Sequence, residues 1–163
     1  MTDVKATPGP EFLDERELNR GMELLFFAYR DFVAEPDRLL APIGFGRAHH
    51  RVIYFVGRNP RIPVAELLNI LNITKQSLSR VLGELVRTGY IAQVKGTEDR
   101  RQRLLSLTEK GAELERRLSG ASRARIARAY KAAGAEAAAG FSKVMLGLMT
   151  DEDREHIERH AGE

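Results

Sequence analysis

The chain has 163 residues, of which 43% are hydrophobic and 30% charged, a composition and length that suit a single folded core. It contains no cysteine, which excludes disulfides, thiol switches, iron–sulfur ligation and zinc fingers. The formal net charge is only +3, no apolar run reaches membrane-spanning length, and the N-terminus lacks the basic and apolar regions of a signal peptide, so we expect a cytoplasmic protein.

The charge is distributed unevenly along the chain. Residues 44–110 carry 12 basic and 5 acidic side chains, a net charge of +7, whereas residues 1–43 carry −4 and residues 111–163 carry zero. A local concentration of basic charge is what a protein needs to bind the phosphates of a nucleic acid. Chance could give the same balance, but the basic segment also contains the motif described below.

The N-terminal part predicts an arm followed by one unusually apolar helix. Residues 1–10 are polar, with two prolines and a glycine, and are typical of a flexible arm. Residues 12–34 predict a helix that ends at Glu35–Pro36. Its apolar stripe is broader than one core face requires, and includes Leu18, Met22, Leu24, Leu25, Phe26, Phe27, Tyr29, Phe32 and Val33. We therefore expect a second subunit here, with residues 11–43 forming a dimerisation helix and linker.

Residues 44–110 predict a winged helix-turn-helix lobe. A helix over 44–57 precedes two short helical patterns whose apolar residues recur at i, i+3, i+4 and i+7, namely Val64, Leu67, Leu68 and Leu71, then Leu78, Val81, Leu82 and Leu85. Asn72 leaves about three residues between the two helices, the tight turn of a helix-turn-helix, and Thr74 is a good N-cap for the second.

The second helix of this pair has a polar face suited to bases and phosphates. Its first two turns carry side chains that the apolar stripe does not need: Lys75, Gln76, Ser77, Ser79 and Arg80. Lys or Arg pairs with guanine, Gln with adenine and Ser with either, so this face favours recognition in the major groove. Taken alone, it is balanced evenly against a plain solvated surface.

Two strands follow at once and predict the wing. Tyr90–Val94 and Arg103–Leu107 have strand patterns, and the polar residues 95–102 between them form the hairpin tip. A long arginine in such a tip can reach the minor groove, whose negative potential attracts guanidinium. Ile62 predicts a short third strand beside the wing.

The C-terminal residues 111–163 predict dimerisation helices. From Leu114 to Leu148 the apolar residues keep a helical spacing, Gly134 and Gly140 favour a kink or break, and Thr150 begins a last short helix that ends near His160. The fold class is therefore mainly α with a small β-hairpin wing: a winged helix-turn-helix lobe plus a helical dimerisation region.

Three segments resemble the MarR family of transcription regulators. Asp99-Arg100-Arg101 followed by residues 105–111 is similar to that family's wing and strand-to-helix junction; residues 73–80 resemble its recognition helix and residues 85–91 the exit from it. The resemblance covers residues 14 to 160 in element order and is specific across residues 62 to 111. It implies a homodimer that reads a pseudo-palindromic operator in double-stranded DNA.

The resemblance also implies roles for individual residues. It places the second helix in the major groove, and Arg101, oriented by Asp99, in the minor groove. The expected DNA-binding residues are Thr74, Lys75, Gln76, Ser77, Ser79, Arg80, Lys95, Asp99, Arg100 and Arg101. In that family the small-molecule pocket lies near the position of the helix at 44–57. The resemblance therefore allows for a small-molecule effector, and the candidate residues for binding it are Arg47, His49, His50 and Arg51. Packing or surface exposure is the more ordinary role for the two histidines.

Other functions have less support in the sequence. Glu152, His156 and His160 share one helix face, but a fourth metal ligand is lacking, so we predict no metal and no cofactor. No thiol, glycine-rich phosphate loop or credible Ser-His-Asp spacing indicates an enzyme. The alternative to a regulator is a winged-helix protein-interaction module without specific DNA binding.

Overall fold

The structure is a computed structural model that describes residues 10–161. Residues 1–9 of the predicted arm lie outside this range. Its helices and strands, in chain order, are α1 (Glu15–Leu40), α2 (Arg47–Arg58), β1 (Ile62–Pro63), α3 (Val64–Leu71), α4 (Lys75–Arg87), β2 (Ile91–Lys95), β3 (Arg103–Leu107), α5 (Glu109–Ala133), α6 (Ala135–Leu148) and α7 (Asp151–Arg159). The chain forms two compact units, the first ending at Ser122 and the second beginning at Arg123.

The predicted helix-turn-helix is confirmed as α3 and α4. Asn72 ends α3 in the left-handed conformation (φ +49°), which a short polar side chain tolerates better than most. Thr74 then caps α4, because its hydroxyl oxygen accepts the backbone N–H of Ser77 at 3.1 Å. The tight turn therefore follows from two local signals in the sequence.

The wing belongs to a three-stranded antiparallel sheet with the strand order β1-β3-β2. Ile62 pairs with Leu105, which confirms the predicted third strand, and Lys95 pairs with Arg103 at the end of the hairpin next to the tip. A β-carbon on Gly96 would collide with the carbonyl oxygen of Asp99, so the turn that opens the tip requires glycine.

The core of the first unit lies between the helices and this sheet. Its fully buried side chains come from α1 through α5 and include Leu40, Ile53, Leu67, Leu78, Leu85, Leu105 and Leu118. Every element of the helix-turn-helix and the wing contributes to this one cluster. The relative positions of α4 and the sheet are thus set by packing.

The predicted end of the first helix at Glu35–Pro36 is wrong, because α1 continues through Pro36 to Leu40. A proline inside a helix costs about 3 kcal/mol through a lost hydrogen bond and a steric clash. Pro36 and Leu40 are both buried, and burying a leucine side chain contributes about 1.5–3 kcal/mol. Burial of this last turn offsets the defect, and the predicted linker from residue 37 is helical instead, with Ala41–Ile43 as a short 3-10 helix.

The second unit contains the end of α5 with α6 and α7. Gly134 has φ +92° and separates α5 from α6, which confirms a predicted break; α6 runs uninterrupted through Gly140. The last short helix is present where predicted, and the hydroxyl of Thr150 caps it by accepting the backbone N–H of Asp153. Across residues 10–161, no helix is both long enough and apolar enough to cross a bilayer.

The start of α5 is fastened to the segment that leaves α4. Thr108 donates its hydroxyl to the carbonyl of Gly89 and accepts the backbone N–H of Gly111 at 3.1 Å. Lys110 donates to the carbonyl of Thr88 at 2.9 Å while its ammonium lies 4.3 Å from the ring centre of Tyr90. Gly111 lies so close to the carbonyl of Tyr90 that a β-carbon would collide with it.

This close approach gives a stability prediction. We expect Gly111→Ala to lower the free energy of unfolding by about 1–3 kcal/mol through overpacking, although alanine is the better helix former. The matched control is Gly120→Ala in the same helix, where a β-carbon meets nothing within 4 Å. This variant should raise the free energy of unfolding by about 1 kcal/mol through helix propensity. Urea unfolding at one fixed protein concentration measures both, and equal stabilities for the two variants would contradict the assignment.

Candidate nucleic-acid interface

One face of α4 is buried and the other is open to solvent. Its buried residues Leu78, Val81, Leu82 and Leu85 face the core. All five polar residues predicted on the opposite face are exposed: Lys75, Gln76, Ser77, Ser79 and Arg80. The helix N-terminus adds partial positive charge to this surface, and the first turn has no acidic residue to oppose it.

Thr74 organises the hydrogen bonding at the tip of this helix. Besides capping the backbone of Ser77, its hydroxyl donates to the Ser77 hydroxyl oxygen at 2.9 Å. Ser77 thereby accepts from Thr74, which leaves the proton of its own hydroxyl available to an outside acceptor. A phosphate oxygen or a base acceptor fits that role.

In the wing, Asp99 fixes the main chain. Its carboxylate accepts the backbone N–H of Arg101 at 2.9 Å, and its carbonyl accepts the N–H of Gln102 at 3.1 Å. The N–H of Gly96 closes the tip by donating to the carbonyl of Gln102 at 2.9 Å. No carboxylate within residues 10–161 forms an ion pair with the guanidinium of Arg101, so its charge is open to an external partner.

A groove of about 930 Å³ joins the wing to the helix-turn-helix. Lys75 and Ser79 of α4 line it together with Asp99 and Arg101 of the wing, so the structure brings predicted residues from two separate segments to one place. The other predicted residues do not line the groove but are exposed on α4 or the hairpin: Thr74, Gln76, Ser77, Arg80, Lys95 and Arg100.

Sequence reasoning missed part of this lining. Gln93, Gln102 and Arg103 of the hairpin and Asn69 of α3 also contribute side chains to the groove. Strand alternation could have identified one of them, because Gln93 follows the buried Ile91 by two residues and so lies on the same sheet face. Asn69 carries no such signal.

An acidic residue also lies on α4. Glu84 accepts a hydrogen bond from the ring of His49 at 2.7 Å, and this bond is the main reason that the pKa of its carboxyl lies below the usual range. Its other oxygen lies 3.4 Å from a guanidinium nitrogen of Arg80. Glu84 was not among the predicted site residues, since its partner His49 is 35 positions away in the sequence.

The four candidate effector residues separate into two places. Arg47 pairs with Asp37 at 3.1 Å and Arg51 donates to the Tyr29 hydroxyl at 2.9 Å, both across the contact of α1 with α2. His50 is half-buried on α2, and burial lowers the pKa of its ring. His49 faces α4 instead, and both of its ring nitrogens already have partners.

The residues that the sequence analysis weighed as metal ligands, Glu152, His156 and His160, belong to the last helix and the residue after it. His156 and His160 do lie side by side on α7, with ring centres 4.6 Å apart, and a ring nitrogen of His160 is hydrogen-bonded to the carbonyl of His156 at 2.9 Å. Within the described part of the chain, no group of three or more His, Asp or Glu side chains is arranged to hold a metal ion.

Comparison with known proteins gives matches to a family model, to a related protein and to solved structures. A family model described as MarR family matches residues 43–102. The HTH-type transcriptional regulator PetP of Rhodobacter capsulatus is 48% identical over 161 residues, which are 97% of this chain and 96% of that protein.

The solved structures share the fold. Streptococcus pneumoniae FabT in complex with DNA matches with a TM-score of 0.71 and 23% identity, over 83% of this chain and 94% of that one. NadR in complex with 4-hydroxyphenylacetate matches with a TM-score of 0.66 and 19% identity, over 87% and 97%. At these identities the likeness extends to architecture, and the much closer match to PetP decides the family. With nearly half of its residues identical to those of PetP along almost the whole of both sequences, the chain belongs to the MarR family.

Proposed function

We propose that this protein is a sequence-specific, double-stranded DNA-binding transcription regulator that acts as a cytoplasmic homodimer. One observation carries the proposal: Lys75 and Ser79 of the exposed first turns of α4 line a single groove together with Arg101 of the wing, on the basic part of the chain. A helix and a hairpin arranged in this way suit adjacent grooves of a duplex.

The two surfaces take different parts of the DNA. The major groove, about 12 Å wide, admits a helix, so α4 would present Lys75, Gln76, Ser77, Ser79 and Arg80 to base edges and phosphates, with Thr74 holding its first turn. Arg101 would enter the minor groove with its backbone fixed by Asp99. Lys95 and Arg100, both exposed on the hairpin, would contact the phosphate backbone.

The exposed apolar surface of α1 supports the homodimer. Met22 is 70% exposed and Phe26 62% exposed, and Leu18 and Leu25 lie at helical spacing from them. A contiguous apolar stripe of this kind is typical of a surface that a partner covers. A second copy related by a twofold axis would place two α4 helices on the half-sites of a pseudo-palindromic operator, about one helical turn apart.

A small-molecule effector is part of the proposal as well. Asp37, beside Arg47, has one carboxylate oxygen that is buried and without a hydrogen-bond partner among the described residues. A phenolic ligand would donate its hydroxyl to this oxygen, and Arg47 and His50 lie beside Asp37. NadR, a relative in fold, was solved with such a compound.

Salt dependence of binding separates the proposal from a protein-interaction module. A DNA-binding regulator should lose affinity for duplex DNA steeply as salt rises and should select one sequence from a random duplex library. An interaction module should show neither property. Selection from genomic fragments would then identify the operator.

Arg101 provides the first variant. We expect Arg101→Ala to weaken binding to the selected duplex by about 1–3 kcal/mol with an unchanged unfolding transition, because its guanidinium forms no ion pair with residues 10–161. Fluorescence anisotropy measures the affinity. Arg159→Ala on α7 removes the same charge outside the groove and serves as the control; equal losses for both variants would count against the wing assignment.

Phe26 tests the dimer. We expect Phe26→Glu to give monomers at micromolar concentration, because a carboxylate in an apolar interface is costly to desolvate, and to weaken operator binding about 100-fold through lost bivalency. Phe26→Leu, which keeps the site apolar, should remain dimeric. Sedimentation measures the assembly, and a dimeric Phe26→Glu variant would exclude α1 as the interface.

A further inference from the structure

Glu84 connects a buried histidine to an exposed arginine on α4. One carboxylate oxygen accepts from His49 at 2.7 Å, and the other lies 3.4 Å from Arg80, one helical turn earlier. The side chain of His49 is 9% exposed and that of Arg80 is 66% exposed. The three side chains thus form a continuous path from the interior of the first unit to the surface proposed to meet DNA.

The tautomer of His49 follows from its neighbours. The backbone N–H of Gly46 points at Nδ1 of the ring at 3.1 Å, and a backbone N–H can only donate. Nδ1 must therefore be unprotonated, so in the neutral ring the proton is on Nε2, where it is donated to Glu84. Both ring nitrogens are committed, and neither role can be exchanged without breaking a bond.

Packing holds this ring in place. Phe45 stacks on it with ring centres 4.4 Å apart and planes 11° from parallel, and Phe45 makes a T-shaped contact with Tyr90 at a distance of 5.3 Å between ring centres. His49 is one of the four buried residues of α2. An isolated carboxylate–arginine pair on a helix surface would be mobile, but here the carboxylate is anchored from behind.

We propose that His49 and Glu84 are positioning residues for Arg80, which orient its guanidinium toward DNA and so determine the sequence preference at the base pair it reaches. This inference rests on the proposed function. The physical basis is conformational entropy. An arginine that a fixed carboxylate already holds in one orientation loses less side-chain freedom when it enters the DNA groove. His49 also accepts the backbone N–H of Gly46 at the start of α2. A movement of that turn would therefore shift His49 and Glu84 and change the orientation of Arg80.

The experiment is a double-mutant cycle on the duplex that the wild-type chain selects from a random library. The asparagine of His49→Asn is long enough to accept from Gly46 but too short to reach Glu84, whereas the longer amide of His49→Gln reaches the place of Nε2. We expect His49→Asn to weaken binding about fivefold when Arg80 is present and to have no effect in an Arg80→Ala background. His49→Gln should restore binding to within about twofold of wild type.

A second variant makes the test independent of burial. Glu84→Gln changes a half-buried residue and, should His49→Asn fail to fold, gives the same cycle; we expect its loss of affinity also to vanish in the Arg80→Ala background. Duplexes substituted one base pair at a time give the other readout. His49→Asn or Glu84→Gln should flatten the preference at the base pair where Arg80→Ala flattens it.

The outcomes separate this inference from the proposed function. If the wild-type chain selects no sequence from the random duplex library, the proposed function itself is wrong. Two other results would overturn the positioning role alone. In the first, the wild-type chain binds selectively and Arg80→Ala leaves that binding unchanged. In the second, His49→Asn and Glu84→Gln weaken binding by equal factors with and without Arg80, because a purely structural residue acts through the amount of folded protein.

Discussion

Burial of one stripe of α4 is the constraint on which the first unit depends. Leu78, Leu82 and Leu85 pack into a core that also contains Ile53 of α2 and Leu105 of β3. Since a helix rotated by one residue would turn its side chains by about 100°, this packing alone determines which residues of α4 face outward. The same core holds the sheet, so the wing and the recognition surface have a fixed separation, as a binding site on rigid elements requires.

Two acidic residues of this basic part of the chain are held by hydrogen bonds within the fold. Asp99 is committed to the backbone of the hairpin tip, and Glu84 to His49 and Arg80. Asp99 fixes the backbone at Arg101, and Glu84 lies within hydrogen-bond reach of Arg80. Net charge is therefore only part of the description of the proposed DNA-binding surface, because these carboxylates already have partners in the fold.

Local signals in the sequence predict a large part of this fold. Asn72 and Thr74 mark the turn of the helix-turn-helix, Gly134 marks the break between α5 and α6, and alternation marks the strands. The continuation of α1 through Pro36 was not predictable locally, because it depends on burial against elements later in the chain. The hydrogen bond between His49 and Glu84 could not be predicted for the same reason. The two residues are 35 positions apart, and the spacing of apolar residues does not indicate a contact between them. The roles of the residues named for DNA contact remain predictions.

The junction at the start of α5 has a mechanical consequence. Thr108 and Lys110 hold the carbonyls of Gly89 and Thr88, and Gly111 abuts the carbonyl of Tyr90. Two hydrogen bonds and one close steric contact therefore join the first turn of α5 to three consecutive carbonyls at the exit of α4, so we expect these two segments to move together. A tilt of that part of α5 would then be passed to the end of α4, the helix proposed to enter the major groove.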